Sequence, residues 1–196
     1  MKATSPRVAA LLAAGGGSRF LDGPAGTHKL TAALRGRPVW EWSLTAALEA
    51  GFDHVVVVTG AVDLPIVAAA GLTIVHHPRW ADGQAGSVQM AVQAATALGA
   101  PSLTIGLADQ PFVTADDWRA VADADVACRV VVARYPDGTG PNPVRLHADT
   151  WPLLPTAGDH GARQIIRRRP QWVCTIDCVG SGADIDTVED LERWNR

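Results

Sequence analysis

Short, unbroken apolar runs alternate along the chain with segments whose apolar residues recur every three to four positions. The runs Val8–Leu12, His54–Thr59, Leu72–His76, Leu103–Leu107, Val126–Ala133 and Trp172–Ile176 predict strands. The periodic segments Val39–Ala50, Ser87–Leu98, Ala115–Ala122, His147–Leu154, Gly161–Arg168 and Val188–Asn195 predict helices. In Ser87–Leu98, Val88, Ala91, Val92, Ala95 and Leu98 fall on one face, and Ser87 stands at the N-cap position. Thr187-Val188-Glu189-Asp190 fits a capping box in front of the last helix. Runs that are apolar throughout, rather than alternating, describe strands covered on both faces. Strand–helix alternation then predicts an α/β fold: a Rossmann-like, three-layer α/β/α arrangement around a mostly parallel sheet. No repeat or linker interrupts residues 1–196, so a single domain is expected.

Composition narrows the function classes. With 17 basic and 20 acidic residues the net charge is −3, which gives no nucleic-acid footprint. No apolar run approaches the roughly 18 residues of a membrane span. The N-terminal Met1–Pro6 carries no apolar signal segment, so a cytoplasmic protein is expected. Cys128, Cys174 and Cys178 show no C-x-x-C spacing, and Cys128 and Cys174 read as small buried apolar residues.

The chemistry concentrates after the first strand, in Leu12-Ala13-Ala14-Gly15-Gly16-Gly17-Ser18-Arg19, with Lys29 ten residues beyond Arg19. Three glycines without Cβ let the backbone approach a ligand, and its N–H groups can converge on an anion. Arg19 and Lys29 add two cations suited to a triphosphate. The dinucleotide fingerprint fails because Phe20 stands where its last glycine belongs, and the P-loop tripeptide G-K-[ST] does not occur. Asp109 follows the run Leu103–Leu107 almost directly, a strand-end carboxylate suited to Mg²⁺ or, more plainly, a solvated turn aspartate. Asp184 and Asp186 precede the last helix, where either could cap it. Gly86 and Ser87 open a helix whose N-terminus favours anions. Trp80 could cover a base but reads first as a packing residue. His76 and His77, adjacent on a strand, point to opposite faces and make a poor metal pair.

The glycine-rich segment resembles the signature loop of the MobA-like nucleotidyltransferases, and within them the molybdenum cofactor cytidylyltransferases. Gly83-Gln84-Ala85-Gly86-Ser87-Val88, Leu107-Ala108-Asp109-Gln110-Pro111, Gly158-Asp159-His160-Gly161-Ala162-Arg163 and Asp184-Ile185-Asp186-Thr187 follow in that family's order. The resemblance implies a fold of the nucleotide-diphospho-sugar transferase type. It implies a nucleotide site at Leu12, Ala13, Ala14, Gly15, Gly16, Gly17, Ser18, Arg19, Lys29, Gly86, Ser87 and Asp109. It further implies Mg²⁺ held by Asp109 and Asp186, with Asp184 the second choice, and catalysis by Arg19, Lys29 and Asp109. Asn142, Asp159, Gly161 and Arg163 would meet the acceptor.

The implied reaction joins CTP to the terminal phosphate of molybdopterin, giving molybdopterin cytosine dinucleotide and pyrophosphate. A molybdoenzyme or its chaperone would be a downstream partner. Ala14 and Gln110-Pro111 lean towards CTP. The alternatives are a GTP-dependent enzyme acting on molybdopterin or a phosphoenolpyruvate- or phospholactate-like acceptor, and a non-catalytic escort that binds nucleotide or cofactor. One departure stands out: residues 20–28 lengthen the stretch between Arg19 and Lys29.

Overall fold

The computed structural model describes residues 5–20, 27–125 and 127–196. The inserted residues 21–26, together with Val126, lie outside the described residues. Among the described residues, strands β1 (Val8–Ala13), β4 (His54–Thr59), β5 (Leu72–His76), β6 (Ser102–Leu107), β7 (Val130–Arg134), β8 (Val144–His147) and β9 (Val173–Asp177) form one sheet in the order β5-β4-β1-β6-β8-β7-β9. Every pairing is parallel except those of β8, which runs antiparallel to both β6 and β7. A small antiparallel hairpin, β2 (Ala33–Leu34) with β3 (Arg37–Pro38), stands apart. The helices are α1 (Val39–Glu49), α2 (Gln84–Ala97), α3 (Ala115–Ala122), α4 (Arg163–Arg168) and α5 (Val188–Asn195).

The all-apolar strands sit where their composition requires. All six residues of β1 are buried, with even numbers facing one core and odd numbers the other. Leu12 and Ala14 pack with Val88, Ala91 and Ala95 of α2, while Leu11 and Ala13 pack with Trp40, Leu44 and Ala47 of α1 and Trp118 of α3. These two cores on opposite faces make the three layers.

Four expectations need correction. The segment His147–Leu154 is not an α-helix: β8 ends at His147, and residues 148–153 form tight 3₁₀ turns around Pro152. The strand expected over Val126–Ala133 begins at Val130. Ser87 is not an N-cap, because α2 begins at Gln84 behind Gly83. Cys128 and Cys174 are not free apolar side chains: they form a disulfide with Cα atoms 5.8 Å apart, joining the approach to β7 to its neighbour β9. Cys178 is free and buried.

Arg145 explains why β8 escapes a reading by hydrophobicity. Its guanidinium is buried, yet it donates to the carbonyls of Ala122, Ala124, Asp125 and Cys128. A fixed fork of donors is suited to gathering several carbonyls at once. The charge therefore closes the turn between α3 and β7 from the middle of the sheet.

Candidate active site

In the sheet order, β1 is followed on one side by β4 and β5 and on the other by β6. The chain reverses direction of travel at β1, and such a switch point opens a crevice at the carboxyl ends of the strands. The loop 14–19 leaves the end of β1 and Asp109 lies just beyond β6, with the Ala108 N–H donating to the Leu12 carbonyl at 3.0 Å. Leu12, Ala14, Gly15, Gly16, Ser18, Ser87 and Asp109 line a cavity of about 370 Å³, together with Trp80, Gly83, Gln84 and Asp159.

Gly16 and Gly83 are needed for space, and Gly83 for turn geometry as well. A Cβ on Gly16 would lie 2.7 Å from Cζ3 of Trp80, so the indole ring rests on this backbone. Gly83 takes φ +109°, and a Cβ there would meet the Gly158 carbonyl oxygen at 2.7 Å. The Ala85 N–H donates to that same carbonyl at 2.9 Å, which clasps the start of α2 to loop 158–161 and brings Asp159 to the cavity.

Below the glycine loop the charged residues converge. Lys29 is buried, and its Nζ lies 2.5 Å from Asp109 Oδ2 and 2.7 Å from Asp186 Oδ1. The largely exposed Arg19 reaches Asp186 Oδ2 at 2.9 Å. Burial works against the Lys29 charge, but Asp109 and Asp186 outweigh it and hold its pKa above the ordinary lysine value. Asp184 lies in the same field: burial, then the Asp109 charge, pushes its carboxyl up to about 6, against a bond from Gln110. Gln110 is itself buried and donates from Nε2 to the Gly182 carbonyl at 2.9 Å. The Ile185 N–H donates to the Asp109 carbonyl at 2.8 Å, so two bonds lock the segment carrying Asp184 and Asp186 against the end of β6. Thr187 and Asp190 form the expected capping box of α5.

Asp109 and Asp186 fit a divalent cation on two observations. Their facing oxygens already converge on one cationic group, and among the described residues Asp109 Oδ1 is buried without a hydrogen-bond partner. Among the described residues no group of three or more His, Cys, Asp or Glu side chains is arranged around a metal position. Two carboxylates completed by phosphate oxygens and water would suit Mg²⁺ or Mn²⁺ better than a metal held by protein ligands alone.

His28 is a site residue that sequence reasoning passes over. Its Nδ1 accepts from the Leu30 N–H at 3.2 Å, and its Nε2 lies 3.0 Å from the Gly15 carbonyl. One nitrogen accepts and the other must donate, which defines a neutral imidazole. Burial lowers the His28 pKa, and Lys29 lowers it further, against the bond to Gly15. The ring thereby ties the glycine loop to the residue beside Lys29. His28→Ala is expected to weaken nucleotide binding about fivefold, near 1 kcal/mol for one hydrogen bond, without lowering the melting temperature by more than a few degrees. Titration calorimetry beside a thermal melt checks this, and unchanged affinity would remove His28 from the loop's support.

The other expected residues divide. Ala13 faces the opposite core, Gly17 backs onto His28, and Gly86 abuts the buried His77 ring, whose Nδ1 lies 3.2 Å from Ser87 Oγ. Asn142 and Arg163 line a narrow neck with Leu12, Gln84 and Leu107, all three of which also border the glycine-loop cavity. The neck leads past Pro141, Arg163 and Ile166 to a second cavity of about 740 Å³, lined further by Val132, His160, Gln164, Arg167 and Arg168. Asp159, grouped by sequence with the acceptor residues, borders the glycine-loop cavity instead, and Gly161 sits beside the Gln84 side chain. Trp80, read first as packing and second as a cover for a base, and Gln84, read only as part of a motif, both line the cavity.

A glycine-rich loop at a sheet switch point, beside paired carboxylates and two cations, has the arrangement of a nucleotide-binding α/β protein. Comparison makes the class specific. Residues 9–172 match the model of the MobA-like NTP transferase domain, and the chain belongs to that family. It is 32% identical to nicotine blue oxidoreductase of Paenarthrobacter nicotinovorans, over 93% of each chain. It is 29% identical to the purine catabolism protein PucB of Bacillus subtilis, over 98% of each. The crystal structure of Rv0371c from Mycobacterium tuberculosis superposes with a TM-score of 0.78 at 26% identity, covering 97% of this chain and 98% of that one. Rv0371c has also been solved as a complex with manganese. Among the described residues no helix is long and apolar enough to cross a membrane.

Proposed function

We propose that the protein is a cytoplasmic, Mg²⁺-dependent nucleotidyltransferase, a single domain over residues 1–196, that transfers CMP from CTP to the terminal phosphate of molybdopterin. The supporting observation is the two-chambered cleft: the glycine-loop cavity, the carboxylate–lysine cluster beside it, and the basic cavity beyond the neck. A volume of about 740 Å³ suits a fused-ring acceptor and greatly exceeds the needs of a three-carbon phosphate ester. Its walls match such a ligand, with Val132, Pro141 and Ile166 for rings and Arg163, Arg167 and Arg168 for anionic groups.

In this reading the backbone of 15–18 holds the triphosphate and Arg19 neutralises it from the open side. An acceptor phosphate entering through the neck attacks the α-phosphorus as the α–β phosphoanhydride bond breaks and pyrophosphate leaves. A phosphate monoester has a second pKa near 6 and is largely ionised at pH 7, so no catalytic base is required. Asp109 and Asp186 would hold a divalent metal, which would supply charge neutralisation at the phosphates. Asp159 supports cytosine, because a carboxylate accepts from the exocyclic amine N4.

Guanylyl transfer is the second reading, since the guanine N2 amine is also a donor that Asp159 could accept from. The family scaffold includes a relative named as an oxidoreductase, so fold alone does not assign chemistry and the site must. Pyrophosphate release with each NTP and Mo-molybdopterin tests the proposal. CTP is expected to turn over fastest; equal or faster release from GTP would overturn the cytidylyl assignment.

A further inference from the structure

The ammonium of Lys29 stands between the two carboxylate oxygens that a divalent cation would bridge, within 2.7 Å of both. A lysine held this way has two of its three donors directed at Asp109 and Asp186, and leaving them for a triphosphate would uncover both carboxylates. It is also buried, with little freedom to turn elsewhere while both carboxylates hold it. Its stem runs past Gly17, with Cγ 3.3 Å from where a Cβ on that glycine would lie. Arg19 already occupies the other oxygen of Asp186. Among the described residues, the one carboxylate oxygen of the pair left without a partner, Asp109 Oδ1, is buried.

We propose that Lys29 is the resident cation of the metal position, and that metal and lysine exchange when nucleotide binds. This rests on reading Asp109 and Asp186 as the metal pair. Without nucleotide, the lysine neutralises two carboxylates that would otherwise repel each other, and a free divalent ion must compete with an attached charge. When a metal–nucleotide complex arrives, the triphosphate offers Lys29 a new anion and the metal replaces it between the carboxylates. The consequence is a binding order in which the metal enters with the nucleotide, not ahead of it. Lys29 then serves twice, as a block on metal binding in the free protein and as a phosphate ligand in the complex.

Mn²⁺ binding, read from the electron paramagnetic resonance signal of the free ion, separates these roles. Lys29→Met keeps the stem against Gly17 and removes only the charge; Lys29→Gln provides a second variant, and circular dichroism establishes that each is folded. Without nucleotide, both variants are expected to bind Mn²⁺ at least tenfold more tightly than wild type. With the non-hydrolysable α,β-methylene CTP present, wild-type affinity should rise by a similar factor and the difference should narrow. Affinity that is unchanged or weaker in both lysine variants would overturn the exchange. Asp109→Asn and Asp186→Asn are the accompanying controls. If they weaken Mn²⁺ binding while the lysine variants leave it unchanged, the exchange alone fails. If they leave it unchanged, the carboxylate pair is not the metal site and the inference falls with it.

Discussion

Asp109→Asn is expected to lower turnover by about 10² to 10⁴ at saturating Mg²⁺ while the protein remains folded, the scale of losing one charge from a metal pair at the reaction centre. The side chain and the backbone of this residue do separate jobs. Its carbonyl accepts from Ile185 N–H and helps lock the loop that carries Asp184 and Asp186, and asparagine keeps that bond. Among the described residues its carboxylate meets only Lys29 and leaves one buried oxygen unpaired. The substitution therefore removes charge without removing the latch, and Lys29 retains Asp186. Steady-state turnover beside a thermal melt is the measurement. A variant that keeps more than half its activity would take Asp109 out of the metal site, whereas loss of both fold and activity would show that the ion pair is structural.

The central part of this architecture is readable because it depends on local patterns. Val8–Leu12, His54–Thr59 and Leu72–His76 are apolar runs whose strands form where hydrophobicity places them, and α3 and α5 carry capping boxes at Thr114–Asp117 and Thr187–Asp190. The features that escape depend on residues far away in sequence. Strand β8 contains Arg145, whose burial is tolerable only because four carbonyls from 122–128 surround it. The hairpin β2–β3 has two-residue strands, too short for any periodicity, turned by Arg35 at φ 50° and Gly36 at φ 80°. The Cys128–Cys174 disulfide requires β7 to lie beside β9, which their spacing cannot reveal.

The same division runs through the site. Lys29, Asp109 and Asp186 stand out one at a time, from residue type and motif order. That Lys29 lies between the two aspartates is a property of the fold alone. His28 offers no signal beyond being a histidine in a loop, because its role consists of two bonds made in opposite directions. Asp159 falls among the acceptor residues by sequence order, but the bond from Ala85 N–H to the Gly158 carbonyl brings that loop to the glycine-loop cavity.

Gly16→Val is expected to reduce nucleotide affinity at least tenfold, about 1.4 kcal/mol or more, equally at low and high salt. The cause is steric. Even the first added carbon would lie 2.7 Å from the Trp80 ring, so either the indole leaves the cavity wall or the loop moves off its phosphate-binding path. Gly15 provides the control, because nothing among the described residues lies within 4 Å of a Cβ built there. Gly15→Ala should bind nucleotide within about twofold of wild type, a difference well under 1 kcal/mol. The salt comparison distinguishes shape from charge: an Arg19→Ala loss should shrink as ionic strength rises, since screening already weakens an exposed contact, while the Gly16→Val loss should not. Adding Trp80→Ala to Gly16→Val tests the cause directly. If the indole is what the new side chain strikes, the double variant should recover affinity relative to Gly16→Val, giving a favourable coupling between the two positions. Near-wild-type binding by Gly16→Val would show that the loop accommodates side chains and that nucleotide is not held by close backbone approach at this position.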